Sequence, residues 1–276
     1  MICALRSAFY RFLRTGLLAK TLVFAVLTGI FSVFFVYVEL KGSYMIRRPR
    51  FIDNSFIIMC VIVLTYIIPF GIALFCSMFS GSDVTGRTIN NKITTGLSRA
   101  QIFIADMAVS LTGMLIYVIC TLATVILFSK IWAVKSNIQF DKLLIELFIR
   151  LLLTSAAYAA AYTLLQYFLS NKLLGLVITL AAIPCMMLIP SLILADLDEP
   201  YRYCAVNEET GESYWTVNPK YVGGTRRKVY EALYDASPYS ISDDLSDFSA
   251  EIIASGSVLI LSSALGVLAV NKREYT

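Results

Sequence analysis

Six apolar runs, at 21–40, 55–79, 102–129, 143–169, 172–195 and 249–270, fill most of this 276-residue chain. Each reaches the roughly 20 residues that a helix needs to cross a bilayer. The fold class that follows is an all-α membrane protein with six transmembrane helices, forming one transmembrane domain over 1–276. Composition agrees: 58% of residues are hydrophobic, 15% are charged, and the mean hydropathy is +0.74. The longest stretch outside the runs, 196–248, is shorter than the about 100–200 residues of an ordinary catalytic domain. Any ATP-driven work therefore falls to another chain.

The same sequence closes off several chemistries. It has no histidine, which removes the commonest catalytic base and metal ligand, and with it zinc and Ser-His-Asp chemistry. The six cysteines lie mostly inside apolar runs, and their spacing gives neither a disulfide framework nor a C-x-x-C pair. No catalytic residue, cofactor, metal site or nucleic-acid partner is expected; the bilayer itself is.

Residues 1–19 place Ile2, Leu5, Phe9, Phe12 and Leu13 on one arc at about 100° per residue, with Arg6, Arg11 and Arg14 opposite. This predicts an interfacial amphipathic helix leading into the first span. The arginines interrupt any compact apolar core, so a cleavable signal peptide is not expected. Lys and Arg counts in short loops favour a cytoplasmic N-terminus by ten to seven, and no acid precedes Glu39. Both termini are placed in the cytoplasm on that basis.

The passage 81–97, between the second and third runs, is polar with a helical core. Asp83 or Ser82 is expected to cap a short helix, Val84, Ile89 and Ile93 to face lipid or protein, and Gly96 to end it. Ser98 and Gln101 then form an S-x-x-Q capping box that starts the third span. Gly81 to Thr88 comes within one residue of a phosphate-binding loop. That motif needs a preceding strand and a lysine, whereas an apolar run precedes this one and Arg87 stands in the lysine's place.

Inside the spans, Pro69 with Gly71, and Pro184 with Pro190, predict bends, either for packing or as hinges. The fourth run is rich in small residues from Ser155 to Thr163, and the sixth repeats the trait with Ala250, Ala254, Gly256, Ser262 and Gly266. Such faces allow close backbone approach, within the chain or against a second subunit. Glu146 and Arg150 lie one turn apart and can neutralise each other or line a polar pathway. Asp106 either bonds to donors of the 81–97 passage or faces that pathway.

The outer loop 196–248 is acidic, with twelve acids against five bases between Asp196 and Glu251. It serves as a hydrated face or as an attractor of cationic ligands. Within it, Asn218-Pro219-Lys220-Tyr221 and a glycine pair predict a turn followed by a helix over 225–236, ending before Pro238. Val229, Leu233, Tyr230 and Tyr234 give that helix an apolar, aromatic side suited to the headgroup layer.

The run GRTINNKITTGLSRAQIF, from Gly86 to Phe103, resembles the loop between the second and third spans of ABC exporter permeases of the second type. There an acidic residue, G-T-I-R-N-K and S-R precede an apolar helix; Arg87 and Asn90 depart from the commonest spelling. The resemblance implies that this short helix is a coupling helix held in a groove of a separate ATPase subunit. It assigns ATPase coupling to Asp83, Gly86, Arg87, Ile89, Asn90, Lys92, Ile93 and Arg99. The outer N-P-x-Y segment is similar to that of peptide- and bacteriocin-related members, until Tyr239-Ser-Ile-Ser stands where Gly-Gln is common. The implied partners are two cytoplasmic ABC ATPase subunits, a second permease copy or paralogue, and a peptide substrate. The implied role is export of amphipathic peptides or self-protection against a peptide antibiotic at the plasma membrane. A membrane sensor or immunity protein that binds an outer ligand without transport is the alternative.

Overall fold

The computed structural model describes residues 1–44, 51–52, 54–85, 88–132, 135–136, 141–169, 171–206, 213–235, 237 and 248–272. Among the described residues nine helices and four short strands follow one another: α1 (Ile2–Arg14), α2 (Leu17–Tyr44), β1 (Phe51–Ile52), α3 (Asn54–Thr85), α4 (Thr88–Thr94), α5 (Arg99–Trp132) and β2 (Lys135–Ser136) come first. Then come α6 (Lys142–Leu169), α7 (Lys172–Leu197), β3 (Arg202–Val206), β4 (Ser213–Val217), α8 (Gly224–Asp235) and α9 (Phe248–Lys272). Six of them, α2, α3, α5, α6, α7 and α9, are long and apolar enough to cross a membrane. They contain the six runs read from the sequence and extend past them, because backbone hydrogen bonding continues until a cap or a turn stops it.

Those stops are visible. Gly16, at φ 67°, turns the chain from α1 into α2. Gly96, at φ 88°, ends α4: its N–H donates to Ile93 O and that of Leu97 to Lys92 O, the Schellman pattern that glycine permits. The Ser98 hydroxyl accepts from Gln101 N–H while Gln101 Oε1 accepts from Ser98 N–H, so the capping box stands as read. Asn171 caps α7, and Asp141 caps α6 while also accepting from Asn54 Nδ2 at the start of α3.

The small residues of the fourth run do their packing within the chain. α6 lies against α3, α5, α7 and α9, with Ala159 and Ala160 fully buried. Gly71 of α3 allows an equally close approach, since a Cβ there would sit 2.4 Å from Tyr117 Oη of α5. Pro69 lies inside α3, and Pro184 and Pro190 inside α7, without ending either helix. Hydroxyls within the spans bond to carbonyls one turn back or across helices, as with Thr28 to Phe24 O and Ser32 to Cys60 O. Neither Gly81 nor Thr88 belongs to a phosphate-cradling loop: the first is inside α3 and the second opens α4.

Two apolar clusters form the core. The larger joins α1, α2, α3, α5, α6 and α7; the smaller gathers Val84, Ile89, Phe103, Tyr167 and Val270 at the end of the bundle where α4 lies. Val270 is near the end of α9, so the last helix finishes on the side where α1 and α4 pack. At the other end are the β1–β2 pair, the antiparallel β3–β4 hairpin and α8.

Candidate functional site

Around α4 the structure brings together four charged side chains from four helices. Asp83 is in the last turn of α3, where the sequence reading put a cap for the short helix. The correction has a physical cause: α3 runs on to Thr85, and the Asp83 carboxylate finds stronger partners than a cap would offer. It accepts from Thr88 Oγ1 at 2.8 Å and Lys92 Nζ at 2.6 Å on α4, and forms an ion pair with Arg11 of α1. Charge-assisted bonds of this kind are roughly twice as strong as neutral ones. Asp106 of α5 lies behind, 3.5 Å from Arg11 and 3.8 Å from Lys92, and accepts from the Tyr167 hydroxyl of α6 at 2.7 Å.

Two carboxylates thus face two cations. Asp83 and Asp106 are almost fully buried, whereas the side chains of Arg11 and Lys92 keep 24% and 19% of their surface exposed. Burial lowers the pKa of both cations, and the nearby Asp106 charge works against that shift in each case. The Arg11 guanidinium also lies over the Phe79 ring, 4.1 Å from its centroid. The network ties α1 and α4 to α3, α5 and α6.

An apolar anchor sits beside it. Ile89 of α4 is 2% exposed and packs with Val84, Phe103 and Tyr167, so it faces protein. Ile93, half-buried, packs against the same cluster. Asn90 and Arg99 are partly buried, on α4 and at the start of α5. Gly86 and Arg87 lie outside the described residues. Of the two readings offered for Asp106, the geometry matches the first, since Lys92 of the 81–97 passage is in its reach. Arg11 and Tyr167 were missed: nothing in the sequence separates Arg11 from Arg6 and Arg14, and Tyr167 is 61 positions from its partner.

Glu146 and Arg150 belong to the opposite end. The expected pair within α6 gives way to one between helices, because Arg150 Nε lies 3.0 Å from Glu251 Oε2 of α9, while Glu146 lies 3.5 Å from Lys142. Glu251 also accepts from Thr154 Oγ1 at 2.9 Å. The helix predicted over 225–236 is α8, in which Arg226 donates to Tyr230 and Arg227 pairs with Glu231. Asn218 makes the expected turn, accepting from Lys220 N–H while donating to Glu199. Much of the acidic stretch, including Asp243, Asp244 and Asp247, lies outside the described residues.

No protein-family model, curated protein or solved structure matches this chain.

Proposed function

We propose that this chain is the membrane-spanning permease subunit of an ATP-driven ABC exporter, and that α4 is its coupling helix. The observation that carries the reading is the fastening of α4, a seven-residue helix that joins two spans, by a shared set of charges and by Ile89. Rigid fastening is what a short helix needs if force applied to it is to move α3 and α5 together. ATP binding by two cytoplasmic ATPase subunits would supply that force, and the path between this chain and a second permease copy or paralogue would change its exposure. The protein then resides in the plasma membrane with both termini and α4 in the cytoplasm, and the acidic outer segment meets the cargo. Amphipathic peptides, including a peptide antibiotic expelled in self-protection, are the cargo class this assigns.

The test is co-purification of a soluble ATPase with the full chain from its own cells. Substitution of Ile89 or Ile93 by aspartate should abolish that association or uncouple hydrolysis from transport, and so should loss of Gly86. An intact, coupled complex in all three variants would overturn the reading. One observation favours the sensor alternative: Trp215 on the outer hairpin is 71% exposed, with Tyr201 nearby in the chain at 55%, a surface suited to an outer ligand. Ligand binding by a chain that never associates with an ATPase would decide for it.

A further inference from the structure

Where α1 turns into α2, two cavities adjoin. One, of about 150 Å³, is an apolar slot between α2 and α3, floored by Tyr117 of α5 and walled by Leu17, Thr21, Phe24, Leu74 and Phe75. The other, of about 140 Å³, is mixed: Arg11, Thr15, Lys20 and Ser82 line it together with Leu17, Met78 and Phe79. Leu17, Lys20 and Met78 border both, so the two open into one another at the first turn of α2. The slot opens toward the outside of the bundle, where Phe24 and Met78 are 36% and 38% exposed. Its volume is an order of magnitude above the about 10–15 Å³ that one water requires, and its walls offer water few partners.

The charges at the mouth are unequal in their availability. Arg11 spends its guanidinium on Asp83 and Asp106. Lys20 is exposed and forms no ion pair with any described residue. Lys20 therefore carries the free positive charge at this mouth, beside an Arg11 already neutralised by its acids. The amino end of α2 adds the positive end of its helix dipole.

We infer that this corner is a binding site for one anionic phospholipid: Lys20, with the Thr15 hydroxyl, takes the phosphate while an acyl chain fills the slot down to Tyr117. Each half selects for the other. A bilayer-facing apolar slot is filled by lipid chains, whose contacts would otherwise be lost on its walls, and a basic pocket at a helix start recruits anionic headgroups. The inference stands apart from any ATPase partner, because it needs only that α2, α3 and α5 cross a bilayer.

The test is native mass spectrometry of the full chain released from nanodiscs of equal parts phosphatidylglycerol and phosphatidylcholine. The expected result is one retained phosphatidylglycerol, favoured over phosphatidylcholine. Lys20→Gln should lower that preference about fivefold, and Lys20→Arg should keep it. Leu74→Trp, which fills the slot, should lower retention of the bound lipid while leaving the melting temperature within the range of the Lys20 variants. If Leu74→Trp does not fold, Met78→Phe at the rim gives the same reading. Equal retention of the two lipids by the wild type, or an unchanged preference in Lys20→Gln, would overturn the site. Displacement of the lipid by millimolar glycerol phosphate would overturn it as well, since the headgroup alone would then suffice and the slot would have no part.

Discussion

Replacing Asp83 by asparagine keeps the shape of the side chain and its contact with Thr88 while removing the charge that Arg11 and Lys92 share. The carboxylate is buried and lies 2.6 Å from Lys92 Nζ, so its loss leaves two cations facing only Asp106. Removing one partner from a buried pair costs about 3–5 kcal/mol. Both cations keep about a fifth of their surface exposed, and Asp106 remains at 3.5 and 3.8 Å, which places this case at the lower end, about 3 kcal/mol. That cost should appear as local opening of α1 and α4 rather than as loss of the bundle, whose spans do not depend on this charge. At 1.36 kcal/mol per decade, amide exchange in peptides covering 2–14 and 88–94 should quicken about 150-fold. Mass-spectrometric hydrogen exchange on the full chain in a nanodisc measures both peptides at once. The double variant Arg11→Gln with Asp83→Asn returns the remaining pair, Lys92 and Asp106, to balance and should recover a good part of the protection in α4. Unchanged exchange in α1 alongside quickened exchange in α4 would refute the reasoning, because it would mean that the two helices are held independently.

Ile89→Ala deletes buried methylenes from the smaller core and should cost α4 about 2–4 kcal/mol, read by exchange at 88–94 with the spans unaffected. Arg150→Met or Glu251→Leu alone should destabilise by about 3–5 kcal/mol, whereas the double variant should unfold near the wild-type midpoint in detergent; additive losses would refute the pairing. Gly266→Ala puts a Cβ 2.0 Å from the Phe103 ring and should lower stability by about 1–3 kcal/mol, recovered by Phe103→Leu. Asp141 has its pKa held below the ordinary 3.8 by the Leu144 N–H and then by Asn54. A depressed folded pKa means that its contribution is complete above 3.8 and fades as pH falls through the lower folded value. Protection at the Leu144 amide, corrected for intrinsic exchange, should therefore drop in strong acid in the wild type and start low, with no such step, in Asp141→Ala.

The sequence by itself determined the six helices long and apolar enough to cross a membrane, the amphipathic character of α1, the glycine stop of α4 and the capping box of α5. All of these are settled by hydrophobicity and backbone geometry over a few neighbouring residues. The partners of the buried charges were decided only by tertiary packing. Arg150 has an acid one turn away, yet Glu251 of another helix meets it; Arg11 reads as one of three arginines on the polar side of an interfacial helix, yet lies against Asp83. A charge in a dry interior pairs with whatever opposite charge the packed helices deliver within about 4 Å. That delivery depends on how each helix is rotated and tilted against its neighbours, which no local pattern along the chain encodes.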